Sequence, residues 1–226
     1  GSFAIAKEYA AQDARIRVFQ NEQNLGTYST LNKALELAQG EWIAVLNSDD
    51  TWLPHKLELQ IDALNAHPDC VFSYTRGVLT DENSAVLSHH DQHRDYPTAD
   101  RQDVLPYLLH VNQILASSLT FRRGAVRFQT GYQACGDWVA NLNLALQSDA
   151  AFVNEPCVGW RQHGTNTSKG LTRFIREDIA VRQAILKYSD SWKQSRPDEP
   201  WDSKIAMCKL ELVAHFVAIE IGRAHV

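Results

Sequence analysis

The chain has a single methionine, Met207, and it does not stand first. Basic residues are also in short supply: 22 Lys and Arg face 27 Asp and Glu, for a formal charge of -5. A nucleic-acid binder usually carries a basic footprint, so this balance gives that class no support. Cysteines number four, widely spaced and with no CxxC pair. That argues against a disulfide framework or a zinc site and for reduced thiols. No apolar run reaches the about 18 residues that suggest a membrane span, and no signal-peptide pattern is visible. Internal repeats and low-complexity tracts are absent too.

What is present is 226 residues, 44% of them hydrophobic, enough for one globular domain with an appendage. Residues 2–11 carry the pattern of an amphipathic helix. "RIRVF", 15–19, alternates and is β-branched, which predicts a strand. Tyr28, Leu31, Leu35 and Ala38 recur at helical spacing, with Gly40 as the C-cap. "WIAVL", 42–46, reads as a strand buried on both faces. Pro54 suits the first turn of a helix running to about His67, with Leu57, Ile61 and Leu64 on one face. "CVFSYT", 70–75, predicts the next strand. Residues 81–104 are polar and His/Asp-rich, a long surface excursion. Beyond them a helix over 102–111, a strand in "SSLTFRR", a helix over 135–147 and two strands, "AAFV" and "VGWRQH", are expected. From residue 170 two helical segments follow, split by "RPDEP". This alternation implies an α/β fold with a largely parallel sheet. Such sheets collect ligands beyond the carboxyl ends of their strands.

Asp49 and Asp50 lie at that place, just past the 42–46 strand. Adjacent carboxylates repel unless a cation or hydrogen-bond donors balance them. Mg²⁺ or Mn²⁺ would do so, with one or two carboxylates plus substrate phosphates. An Asp-rich turn that caps a helix is the plainer alternative.

The block "NLGTYSTLNKALELAQGEWIAVLNSDDTWLPHKLELQ" resembles the family 2 glycosyltransferases, and the likeness extends over roughly residues 1–168. It implies a GT-A (Rossmann-like) fold and transfer of a sugar from a nucleotide-diphosphate sugar to an acceptor hydroxyl. By the same resemblance Asp50 is the metal ligand, for Mn²⁺ or Mg²⁺. Asp49 contacts the ribose or sugar, and Asn47 replaces the motif's usual first Asp. "GDW", 136–138, matches a downstream motif in which Asp137 is the general base; capping a helix is a compatible role. The usual acidic residue before it is Gly136 here. "WRQHGTNTS", 160–168, makes His163 a diphosphate or metal contact, or simply a loop histidine, with Arg161 near the phosphates. Gly26 and Asn32 are nucleotide-side candidates, although Leu31 stands where many relatives carry Arg. Trp42, Trp138 and Trp160 suit the core or an acceptor wall, and Trp138 is grouped with the substrate-binding candidates. His89, His90, His93 and Asp91 fit a solvated loop better than a metal cluster.

The expected partners are the donor and a saccharide, lipid-linked or protein acceptor. The expected setting is the cytoplasm, including the inner face of the membrane, and bacterial polysaccharide synthesis suits the family. The family's first strand and nucleobase-holding Asp segment find no match, about 40 residues by the length of a βαβ unit. "EIGRAHV", 220–226, matches one frame of a common sequencing adaptor. The domain reading is therefore 1–168 as an N-terminally incomplete GT-A domain, 169–219 as a helical extension and 220–226 as a non-native tail. Weak nucleotide binding by the chain as written follows from it. Two rival functions remain: a non-catalytic carbohydrate- or partner-binding domain of this fold, and a nucleotidyltransferase.

Overall fold

A computed structural model of the chain describes residues 1–89, 98–164, 166, 171–197 and 201–224. It opens with α1 (Ser2–Gln12). Residues 15–19 do not form the expected strand, and Ile16 and Phe19 are exposed. A β-branched run becomes a strand only where a partner takes its backbone N–H and C=O groups. Among the described residues none pairs with it. Next comes α2 (Thr27–Leu37), which starts after Gly26. Gly26 has φ 78°, a left-handed value that glycine adopts without steric cost. The helix ends at Ala38 in an extended conformation, so Gly40 lies outside it.

Among the described residues seven strands form one sheet: β1 (Trp42–Ala44), β2 (Thr51–Trp52), β3 (Phe72–Thr80), β4 (Val86–His89), β5 (Arg101–Gln102), β6 (Thr120–Arg122) and β7 (Ala150–Arg161). The order is β1-β6-β3-β7-β2, with β4 added to β3 and β5 to β7. The α/β expectation holds, but the sheet is mixed. Among the described pairings only β3 with β7 is parallel. The antiparallel partners β2 and β5 are two residues long, too short to leave a periodic signal in the sequence, and β6 is the strand expected in "SSLTFRR", whose direction the sequence does not set. The strand at 42–46 is shorter than expected and only partly buried, since β1 ends the strand order. The two strands expected over 150–163 are one strand, β7, whose register against β3 shifts around Pro156.

Helix α3 (Lys56–Ala66) follows His55, a cap in the left-handed region, so Pro54 precedes the helix rather than opening it. Its inward face is Lys56, Gln60 and Leu64, while Leu57 is exposed. Polar bonding sets that rotation. Gln60 donates to Ser73 Oγ at 2.9 Å and to the Ser118 carbonyl at 2.9 Å, and accepts from Thr120 Oγ1 at 2.8 Å. A buried amide so satisfied outweighs one exposed leucine. Lys56 donates to Gln60 at 2.5 Å and lies 4.4 Å over the Trp52 ring. Burial pushes its pKa down to about 8.

Helix α4 (Leu105–Leu108) is one turn, shorter than expected. Helix α5 (Gly136–Ala145) buries Trp138, Leu142 and Leu144 against the sheet and α4. Two long helices close the chain, α6 (Leu171–Ser195) and α7 (Trp201–Ala224). Val181, Ile185, Trp201 and Cys208 join them to the same core as Phe72, Phe121 and Phe152. Among the described residues no helix is long and apolar enough to cross a membrane.

Candidate active site

Strand direction assembles the first group of candidate residues. β1 and β3 are both antiparallel to β6, and β3 is parallel to β7. The carboxyl ends of β1, β3 and β7 therefore share one edge of the sheet. Chain leaving β1 delivers Asp49 and Asp50 to that edge, and chain leaving β7 delivers Arg161 and His163.

The acidic loop is held from both sides. Ser117 Oγ donates to Asp50 Oδ2 at 2.5 Å and accepts from the Asn47 N–H at 3.0 Å. The Ser117 carbonyl accepts from Trp52 Nε1 at 2.8 Å. From β7, the Arg161 N–H donates to Asp50 Oδ1 at 3.1 Å. Burial nevertheless raises the Asp50 pKa, against the lowering effect of these donors. His163 Nε2 lies 3.0 Å from Asp49 Oδ2, a pair whose side chains are 22% and 40% exposed. The His163 loop is fixed in turn: its N–H donates to Asn166 Oδ1 at 2.6 Å, and Asn166 Nδ2 donates to the Arg161 carbonyl at 2.9 Å.

Arg161 has a different task from the expected phosphate contact. Its Nε donates to the Asp49 carbonyl at 2.7 Å, Nη2 to Ser84 Oγ at 3.0 Å and Nη1 to the Glu82 carbonyl. Its planar fork is spent on fixing the acidic loop against the β3–β4 turn. Ser117 and Asn166 were not legible as site residues. The only hint of Ser117 was a doublet of small polar residues at the start of a predicted strand.

The metal reading can be tested on the donors themselves. Asp49 pairs with His163 at the sheet edge, and the neighbouring Asp50 carboxylate, bonded by Ser117, the Arg161 N–H and Asn47, keeps a lone pair beyond these donors. That suits a divalent cation that completes its shell with substrate phosphates and water. Among the described residues no group of three or more His, Cys, Asp or Glu is placed to hold a metal ion, so a cation here would rest on one or two carboxylates and on substrate oxygens. Of the histidine-rich excursion, His89 is exposed on β4, and His90, Asp91 and His93 lie outside the described residues.

Asp137 stands in a second group, in the first turn of α5. The Trp138 N–H donates to Asp137 Oδ1 at 2.8 Å, and the Asp137 N–H donates to the Tyr28 hydroxyl at 3.2 Å. Burial raises the Asp137 pKa to about 6; its own and the Trp138 N–H oppose this, and the nearby Glu177 charge adds to it. A carboxylate so tuned can accept a proton near neutral pH. Gly136 owes its identity to Tyr28. A Cβ there would lie 2.6 Å from Cζ and 2.7 Å from Cδ2 of that ring. The aromatic ring thus fills the space of the acidic residue usual before this aspartate.

Three candidates serve the framework instead. Asn32 is buried, its amide donating to the Phe128 carbonyl at 2.8 Å and accepting the Phe128 N–H at 2.9 Å. Both polar ends are used, which leaves none for a nucleotide. Trp138 is 2% exposed, donates to the Leu108 carbonyl at 2.7 Å and lies under the Arg182 guanidinium at 5.2 Å. It is core, not substrate wall. Gly26 positions α2 and so places Tyr28 beside Asp137.

Comparison with known proteins bears on family and fold. The model of glycosyl transferase family 2 matches residues 1–124, more than half of the chain. The putative teichuronic acid biosynthesis glycosyltransferase TuaG of Bacillus subtilis is 43% identical over 75 residues, 33% of this chain and 29% of its own. The UDP-Glc:alpha-D-GlcNAc-diphosphoundecaprenol beta-1,3-glucosyltransferase WfgD of Escherichia coli is 38% identical over 74 residues, again 33% and 29%. An uncharacterized glycosyltransferase of Methanocaldococcus jannaschii is 39% identical over 83 residues, 37% of this chain and 29% of its own. The chain thus matches under a third of the length of these relatives. Among solved structures, S. aureus TarS 1-349 in complex with UDP-GlcNAc aligns with 96% of this chain and 60% of its own, at TM-score 0.65 and 13% identity. The fold is the GT-A fold, and the chain belongs to glycosyl transferase family 2.

Proposed function

We propose that the protein transfers a sugar from a nucleotide-diphosphate sugar to an acceptor hydroxyl, by direct displacement with inversion at the anomeric carbon. The observation that carries this reading is the placing of Asp50, and of Asp49 paired with His163, at the carboxyl edge of β1, β3 and β7. Residues 1–168 form the catalytic unit, on which α6 and α7 pack. Asp50 holds the divalent cation, Mn²⁺ or Mg²⁺, with His163 beside it, and Asp49 faces the sugar or ribose. The cation, when bound, offsets the charge that builds on the departing diphosphate. Asp137 accepts the proton of the acceptor hydroxyl as its oxygen attacks the anomeric carbon. The bond from that carbon to the diphosphate oxygen breaks, and the nucleoside diphosphate leaves. One base suffices, and no covalent sugar–enzyme intermediate forms.

The named chemistry of the relatives guides the substrates. UDP-sugars are the first donors to try, since the S. aureus structure holds UDP-GlcNAc and the E. coli relative is named for UDP-Glc. A lipid diphosphate-linked saccharide is the first acceptor, from the name of the same relative. A soluble donor and a lipid-linked acceptor together favour work at the cytoplasmic face of a membrane. The test is release of UDP from UDP-Glc and UDP-GlcNAc by the protein with Mn²⁺, with and without EDTA, and the anomeric configuration of the product by NMR. Turnover that needs the cation and inverts the sugar supports the reading. Donor binding without turnover under every condition would favour the non-catalytic alternative.

A further inference from the structure

Just before α5 the backbone turns so that three successive N–H groups, of Gln133, Ala134 and Cys135, point at one place. The carboxylate of Glu177 fills it. The Gln133 N–H donates to Oε1 at 2.8 Å, and those of Ala134 and Cys135 donate to Oε2 at 2.7 and 2.8 Å. Converging N–H groups of this kind form an anion-binding concavity, and a charged acceptor makes each bond stronger than a neutral one would. Glu177 belongs to α6, outside the stretch that matches the family model. Its neighbour on the chain strengthens the attachment. Asp178 receives Arg182 Nε at 2.6 Å, and Arg182 covers the Trp138 ring. Helix α6 therefore grips both sides of Asp137, at residues 133–135 and at Trp138.

We propose that Glu177 is a positioning residue for Asp137: it fixes the turn from which α5 starts and sets a second carboxylate near the base. This rests on the reading of Asp137 as the base. The other groups around that turn are the Tyr28 hydroxyl from α2, the Tyr132 hydroxyl and Cys135 thiol of the turn itself, and the Asp178–Arg182 pair from α6, with His215 of α7 3.5 Å from Asp178. Helix α4 contributes the Leu108 carbonyl to Trp138. Among these Glu177 combines a full charge with direct bonds to the turn itself. Its charge disfavours ionisation of Asp137, as a like charge must.

Two measurements on the chain test this without any substrate. Hydrogen exchange at the amides of 133–135 should quicken about tenfold or more in Glu177→Ala, since bonds to a charged acceptor are lost. The carboxyl resonance of Asp137, assigned with Asp137→Asn, should titrate at lower pH in Glu177→Gln, which keeps the shape and removes the charge. Glu177→Asp should restore part of the titration midpoint. Unchanged exchange at all three amides, or an unchanged midpoint in Glu177→Gln, would overturn the proposal. The base reading fails separately, if Asp137→Asn turns over UDP-sugar at the wild-type rate while the Glu177 results stand.

Discussion

The molecule has two acidic corners, residues 47–52 and residues 133–138, and they are built in opposite ways. In the first, Asp50 is steadied by donors from distant parts of the chain, the Ser117 hydroxyl and the Arg161 N–H. Those donors hold the loop and leave the carboxylates facing the sheet edge. In the second, Asp137 is bonded by the Trp138 N–H of its own helix and has a second carboxylate, Glu177, close by. Burial raises the pKa of both aspartates, but in the first corner the Ser117 hydroxyl and the Arg161 N–H oppose it and support a charge that can meet a cation. The second makes ionisation harder and so keeps a proton acceptor poised near neutrality. Two aspartates of the same chain thus acquire different chemistry from their surroundings alone.

The sharpest way to break this contrast is to neutralise Asp137. Asp137→Asn should lower turnover by about 10²–10⁴-fold, the usual worth of a general base, while Mn²⁺ half-saturation changes little. In the wild type, activity should fall as pH drops through about 6, where the carboxylate takes up its proton.

The same substitution should stabilise the fold. Asp137 binds its proton more tightly folded than unfolded, its pKa rising from 3.8 to about 6. Its favourable contribution is therefore full below pH 3.8 and lost as pH rises through about 6. At pH 8 Asp137→Asn should gain up to about 3 kcal/mol in urea unfolding, and at pH 3.5 the gain should vanish. A constant difference across pH would contradict the buried-carboxylate account.

A smaller effect is expected from Gly136→Ala, which presses a methyl group into the Tyr28 ring. Overpacking of this kind costs about 1–3 kcal/mol. A paired Tyr28→Leu change should recover much of it if the ring is the obstacle. The smallest effect sharpens the other corner. Ser117→Ala removes the hydroxyl between Asn47 and Asp50 but leaves the carbonyl that holds Trp52. Stability should drop by about 1–2 kcal/mol, and half-saturation by Mn²⁺ should rise. The acid limb of the pH profile should stay in place, because that limb belongs to Asp137.

Much of this was legible in the sequence. The helix–strand alternation from α2 to β3, the acidic pair after β1 and the aspartate at the start of α5 are local patterns, and they were found where they were sought. The errors came where the outcome depends on a partner. Residues 15–19 have strand composition, but a strand needs a neighbour, and none pairs there. The α3 face was assigned to Leu57, Ile61 and Leu64; Leu64 is buried as expected, but Leu57 is exposed and Lys56 and Gln60 turn inward, where hydroxyls of Ser73 and Thr120 lie opposite. Asn32 and Arg161 have the right chemistry for a nucleotide, but they are occupied, one by the Phe128 backbone and the other by carbonyls around the acidic loop.

The sequence by itself therefore determined which elements could form and which residue types could do chemistry, since periodicity and motif spacing are properties of the chain alone. The tertiary structure decided which of those residues remain free to act. Ser117 lies 67 residues from Asp50, and Arg161 lies 111. Whether a side chain meets a ligand or a neighbour is settled by such long-range hydrogen bonds, which no local pattern encodes.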